Sequence, residues 1–181
     1  MKRVLVLFAH PALHKSRINR RLADAVRDLE HVTFHDLYEA YPDFLIDVPR
    51  EQELLKSHDV IVFQHPFYWY STPAIFKEWM DLVLEHGFAY GKGGHALHGK
   101  SWLQVMTAGG PKHSYSEQGY NNVTIETLIS PLKQTATLCG MEFLEPFIVF
   151  GALQLDVKRE VPPLAAALRN RITALRDGLG V

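Results

Sequence analysis

The sequence predicts a doubly wound α/β fold, a five-stranded and mostly parallel sheet with helices on both faces. Three observations carry this. Five short β-branched, aliphatic or aromatic runs recur along the chain, segments with helical spacing lie between them, and the central run is continuously apolar, as in a strand buried on both sides. Parallel neighbours need crossover connections, so strands that alternate with helices place helices on the two faces of one sheet.

The first run, residues 3–9 (RVLVLFA), is followed by a Pro-containing loop and by Ile18, Leu22, Val26 and Leu29 at helical spacing. Residues 31–37 (HVTFHDL) alternate as a strand does, and residues 60–63 (VIVF) form the central run. A helix is expected after Ser71-Thr72-Pro73, with Thr72 as cap and Pro73 in its first position. Residues 101–108 (SWLQVMTA) and 147–150 (FIVF) supply the remaining strands. Between them, residues 123–138 read as a helix interrupted at Pro131 and stopped by Gly140. The last helix begins near Pro162-Pro163 and carries Leu164, Leu168, Ile172 and Leu175 on one face. Two connections, 38–48 and 87–100, are long, and such loops are functional or pack on another surface. No repeat or linker divides the chain, so one domain over 1–181 is expected.

At 181 residues with 47% hydrophobic composition, the chain can bury a full core. Its 19 Lys+Arg nearly balance 20 Asp+Glu, which gives no broad basic field for nucleic acid or anionic lipid. The lone Cys139 forms no intrachain disulfide, and Met1 leads directly into strand-like sequence. The expected compartment is the cytoplasm, with the inner membrane reached only through a partner, because no apolar run is long enough to span a bilayer.

In an open α/β sheet, ligands bind beyond the carboxyl ends of the strands. Three loops fall there. Residues 10–16 lead into Ser16, Arg17, Ile18 and Asn19, where free N–H groups at a helix start suit a phosphate and His10 adds a donor; Ser16 serves equally as a simple cap. Phe67, Tyr68, Trp69 and Tyr70 stand in a row after the central strand. Such rings pack beneath a neighbouring element or at a subunit contact, or wall a planar heterocycle, whose edge the backbone of the turn can meet. Thr107, Ala108, Gly109 and Gly110 follow the fourth strand, and the paired glycines allow close approach to a ligand or make an ordinary turn. A phosphate socket, an aromatic wall and a glycine strip together suit a flavin.

Other chemistries lack their signatures. The chain has neither a G-x-x-x-x-G-K-[ST] loop nor a G-x-G-x-x-G fingerprint, and no G-x-S-x-G elbow. His86, His95 and His98 cluster in HGFAYGKGGHALHG, but no cysteine or carboxylate stands at ligand spacing beside them, so no metal is expected.

The blocks FAHP, S-x-x-N at 16–19, QHPFYWYSTPAIFKEWMD, GFAYGKGGHALHGK and TAGGPKHSYSEQGY together resemble the flavodoxin-like NAD(P)H:quinone oxidoreductase family. Within it, HDLYEAYPDFLIDVPREQELL and VIVFQHP resemble the ancillary oxidoreductases of glutathione-gated potassium efflux (Kef) systems. The likeness covers about residues 3–151. It implies a flavodoxin-like fold, noncovalent FMN in preference to FAD, NAD(P)H as co-substrate, a quinone acceptor, and a homodimer with active sites at the subunit interface. It also implies site roles. His10, Ser16, Arg17, Ile18 and Asn19 hold the phosphate end. Phe67, Tyr68, Trp69 and Tyr70 border the ring system, and Thr107, Ala108, Gly109 and Gly110 line its other edge. Tyr115, with Gly109, carries the catalytic role by steadying charge on the reduced flavin. Asn121 stands where the family's animal branch has a histidine; an amide donates a hydrogen bond there but takes up no proton.

The activity implied is a ping-pong, two-electron transfer of hydride from NAD(P)H to a quinone. Two other functions stay in view, a regulatory subunit docked on a potassium efflux antiporter and a flavodoxin-like electron carrier. Flavodoxins carry a Thr/Ser-rich loop after the first strand, where this chain has HPALHKS. The segment YPDFLIDVPREQ, with Glu51 and Glu53, is the candidate partner-facing stretch.

Overall fold

The computed structural model describes residues 1–179; Gly180 and Val181, the end of the expected 1–181 domain, lie outside the described residues. Five strand positions form one parallel sheet. β1 (Val4–Phe8), β2 (Val32–Asp36), β3 (Val60–Pro66) and β4 (Ser101–Thr107) are single strands, and the fifth position is shared by β5 (Glu142–Phe143) and β6 (Phe147–Val149), both paired with β4. The order is β2-β1-β3-β4-β5, with every pairing parallel. The switch in direction lies between β1 and β3, the place where such sheets bind ligands.

Alternation along the strands feeds two cores. Leu5, Leu7, Ile61, Phe63 and Trp102 face α3 (Val48–Lys56), α4 (Ala74–Val83) and α6 (Ser130–Leu138), through Leu55, Phe76, Trp79 and Ala136. Val4, Val6, Val60, Val62, Leu103 and Val105 face α1 (Asn19–Asp24) and α7 (Val161–Arg176), through Ile18, Leu22, Leu168 and Ile172. Burial of both faces is why the strands read as unbroken apolar runs. Two shorter helices, α2 (Leu37–Ala40) and α5 (Ile125–Leu128), complete the chain.

Several boundaries differ from the sequence reading. β3 does not stop at Phe63. It continues through Gln64, His65 and Pro66, all buried, because side-chain partners make polar residues tolerable there: both ring nitrogens of His65 are met at 2.9 Å, by the Pro66 carbonyl and the Gln104 side-chain amide. The first helix opens at Asn19, not at Ser16, and ends at Asp24, so Val26 and Leu29 pack into the core from the turn that follows it. Pro73 is the cap residue before Ala74 rather than the first helical residue, and Thr72 makes no cap bond. α2, α3 and β5 were not assigned from the sequence. α3 is announced by Asp47, whose carboxylate accepts from the Arg50 N–H, and by a proline in the first turn.

Other expectations hold. Pro131 lies in the first turn of α6 after a break at Ile129, and Gly140, at φ +68°, ends that helix where a Cβ would meet the His98 ring at 2.3 Å. Prolines open α7. The 87–100 connection packs on the sheet, with Ala89 and Leu97 fully buried.

Candidate functional site

The loops after β1, β3 and β4 meet at the carboxyl rim and enclose an open groove of about 430 Å³. That volume lies in the usual range for small-molecule sites. Of the residues singled out from sequence, His10, Ser16, Arg17, Ile18, Asn19, Phe67, Tyr68, Thr107 and Gly109 line it.

The residue 10–18 side is a loop rather than a helix end. A 3₁₀ turn covers Leu13–Lys15, and the Ser16 hydroxyl accepts from the Asn19 N–H at 3.1 Å, which steadies the start of α1 although Ile18 is its cap residue. Anion-binding capacity here comes from Lys15 and Arg17 at the groove together with loop amides, not from a long helix dipole. Burial holds His10 below the ordinary histidine range. Its Nδ1 accepts from the Ala12 N–H at 3.1 Å, which leaves the proton of the neutral ring on Nε2. Asn19 is buried and donates through Nδ2 to the Thr107 hydroxyl at 2.9 Å, tying α1 to the end of β4, while its Oδ1 has no partner.

The aromatic run forms a tight turn. The Ser71 N–H donates to the Tyr68 carbonyl at 2.9 Å, and both central residues have positive φ, Trp69 at 49° and Tyr70 at 62°. Two left-handed residues in succession define a type I′ turn, normally built from Asn and Gly. Phe67 is half-buried against Tyr115, Tyr68 packs edge-on to His10, and Trp69 is 92% exposed and lies off the groove. Tyr70 also lies off the groove and donates its hydroxyl to Asn121 Oδ1 at 3.1 Å, which pins the turn to the 115–122 loop. The N–H groups of Trp69 and Tyr70 have no partner among the described residues.

Past β4, Ala108 is fully buried, and both its backbone groups are engaged, with Val149 and Ala152. Ala108 therefore fixes the strip but offers nothing to a ligand. Gly109 lines the groove, where a Cβ would press on Leu153 at 3.2 Å. Gly110 accepts from the Gly151 N–H and lies against the Tyr115 ring. Burial pushes the Tyr115 hydroxyl up, opposed by the Gly110 backbone, so it remains a protonated donor at neutral pH. Gly110 and Tyr115 do not line the groove; Tyr115 packs against Phe67, which does, with ring centroids 6.3 Å apart.

Ala152 and Leu153, which close the groove after β6, were missed from sequence; the Leu153 carbonyl lies 3.4 Å from Arg17 Nη2. Their signal was position, the carboxyl end of the last strand. The partner-facing expectation for Glu51 is corrected: its side chain is fully buried, whereas Glu53 is exposed and paired with Lys56. Of the three clustered histidines, His95 and His98 stay together, with ring nitrogens 3.4 Å apart, while His86 packs against Tyr90. Among the described residues no three metal-ligating side chains converge.

Comparison with known proteins gives this geometry its context. The model of a family with a flavodoxin-like fold matches residues 2–172. The KefG ancillary protein of the glutathione-regulated potassium-efflux system of Serratia proteamaculans is 48% identical over 177 residues, 98% of this chain and 92% of its own. A chain described as a thermophilic tryptophan halogenase of Streptomycin violaceusniger superposes with a TM-score of 0.90 at 40% identity, covering 93% and 97% of the two chains. General stress protein 14 of Treponema denticola, in complex with FMN, gives 0.86 at 31% identity over 98% and 99%. An NADPH-quinone reductase of P. pentosaceus gives 0.84 at 30% over 93% and 96%. The chain belongs to the flavodoxin-like fold family, with the Kef ancillary proteins among its relatives.

Proposed function

We propose that the chain is an FMN-dependent NAD(P)H:quinone oxidoreductase that works beside a potassium efflux protein. The observation that carries the reading is the single groove built by the loops after β1, β3 and β4, lined both by the cations Lys15 and Arg17 and by the aromatic side chains Phe67 and Tyr68. A related protein of the same fold and length holds FMN, and another is an NADPH-quinone reductase. The residues suit the group. Lys15, Arg17 and the amides of Arg17 and Ile18 would hold the phosphate end, and the His10 Nε2–H would donate to it. Phe67 and Tyr68 flank the ring system, and Gly109 lets its edge approach the backbone. Bound FMN would supply the hydride chemistry that no side chain possesses.

Tyr115 contributes a protonated hydroxyl positioned by Phe67, Phe150 and Gly110, a donor for negative charge developing at the slot. NAD(P)H and the quinone use one aromatic slot in turn, which is a ping-pong order. Exposed Trp69 and Tyr70, on the turn that follows Tyr68 and off the groove itself, suit burial against a second copy of the chain in a homodimer. The tryptophan halogenase description stands alone among these neighbours, and no feature of the groove favours it.

The KefG likeness supports a place at the inner membrane through an efflux partner. Among the described residues no helix is long and apolar enough to cross a membrane. Purified protein incubated with FMN is expected to turn yellow and to oxidise NAD(P)H with a quinone, without added reductase. Protein left colourless by both FMN and FAD would overturn the reading, and colour without turnover would leave the carrier or the regulatory subunit in its place.

A further inference from the structure

Two buried side chains beneath the groove carry polar atoms that the protein does not satisfy. Gln64 is 1% exposed, and neither its Nε2 nor its Oε1 has a partner; Asn19 is 4% exposed, and its Oδ1 has none. Strand alternation sets them on one face. Val60 and Val62 precede Gln64, and Leu103 and Val105 precede Thr107, all toward α1 and α7, with Gln64 in register with Val105. Asn19 reaches down from α1 to Thr107, the next residue on that face of β4. Gln64 thus lies one layer below the residue that floors the groove. On the opposite face the buried polar side chains His65 and Glu51 are fully partnered, and Trp102 Nε1 is a buried donor left without a partner. Native proteins keep few such atoms without reason.

The unpartnered atoms select a ligand chemistry. A carbonyl oxygen repels a phosphate and accepts only from a donor, so Asn19 Oδ1 suits a neutral hydroxyl rather than the phosphate end first assigned to Asn19. The Gln64 amide offers donors and an acceptor. Together with a second lone pair on Asn19 Oδ1, it supplies the three polar contacts that a buried water requires. We propose that Asn19 and Gln64 form a hydroxyl-reading floor: Asn19 accepts from a hydroxyl of a polyol chain lying in the groove, and Gln64, through one buried water, holds the Asn19 amide in that orientation. The inference rests on the flavin reading and places the ribityl chain, not the phosphate, over Asn19. Gln64 is a positioning residue.

The test is equilibrium binding to apoprotein of FMN, riboflavin and lumiflavin, which keeps the ring but lacks the polyol, read by quenching of flavin fluorescence. Wild type is expected to bind riboflavin at least about tenfold more tightly than lumiflavin, as hydroxyl hydrogen bonds require. Gln64→Met should weaken FMN and riboflavin by about tenfold and leave lumiflavin unchanged, with no loss in the melting temperature of the apoprotein. Equal wild-type affinity for riboflavin and lumiflavin overturns the proposal, as does equal loss of both in the variant. Should Gln64→Met not fold, the wild-type ratio decides. Failure of wild type to bind any of the three would overturn the flavin reading itself, which parity between riboflavin and lumiflavin would not.

Discussion

The buried cluster around Glu51 and the groove at the carboxyl rim use similar residues to opposite ends. Both join histidine, tyrosine and a polar side chain from different elements. Glu51, on α3, is fully buried and accepts from His35 Nε2 at 2.8 Å, the Tyr41 hydroxyl at 2.6 Å and Trp79 Nε1 at 2.8 Å. Every strong acceptor there is answered, and the cluster ties β2, the end of α2, α3 and α4 together. At and beneath the groove, Asn19 Oδ1 and the Gln64 amide are left unanswered, and on the turn that follows Tyr68 two non-glycine residues sit at positive φ, with Trp69 facing solvent. Saturated polar networks specify the fold, whereas unmet and strained groups mark where the protein is built for something outside itself.

The comparison breaks first if the Glu51 cluster proves dispensable. Glu51→Ala leaves three donors buried without an acceptor and is expected to lower stability by about 3–5 kcal/mol, measured by urea unfolding. The FMN affinity of the molecules that remain folded should not change. Burial works to raise the Glu51 carboxyl, but the hydrogen bonds from His35, Tyr41 and Trp79 outweigh it and hold the group below the ordinary glutamate range. A carboxyl depressed on folding contributes its stability above the unfolded pKa and loses it as pH falls through the folded one. Wild-type unfolding midpoints should therefore drop as acid is added below the ordinary glutamate range, and Glu51→Ala should flatten that part of the profile.

Tyr115→Phe sharpens the contrast from the other side. It removes a hydroxyl without altering the ring contacts with Phe67 and Phe150. Stability and FMN binding should hold, while the rate of flavin reduction in stopped flow should fall by about 10²-fold, the usual loss for one donor aimed at developing charge. An unchanged rate would move the catalytic role away from Tyr115.

Much of this division was legible in the chain. Strands buried on both faces announce themselves as apolar runs, and the ends of α6 and α7 follow from proline and glycine. The three rim loops were found because strand ends locate them. What stayed hidden depends on partners distant in sequence. Gln64, His65 and Pro66 look like a loop until Gln104 and the sheet are placed around them. Glu51 looks like a surface charge in a segment of mixed charge until His35, Tyr41 and Trp79 converge on it from three other segments. Leu153 joins the groove through a strand that pairs with β4 more than forty residues away in sequence. Local pattern carries no record of such meetings.

The smallest expected effect concerns the turn itself. Trp69, 92% exposed at φ 49°, gains little from packing and bears the steric penalty of a left-handed backbone. Glycine removes that penalty but gives the unfolded chain more freedom, so Trp69→Gly should stabilise the isolated fold by about 0.5–1 kcal/mol in urea unfolding. If the strain is retained for what docks at the rim, the gain in stability should come with weaker self-association in sedimentation and a higher KM for the quinone. A variant that gained stability with both unchanged would show that the turn is strained for reasons of folding alone, and the boundary drawn between the Glu51 cluster and the groove would then exclude Trp69.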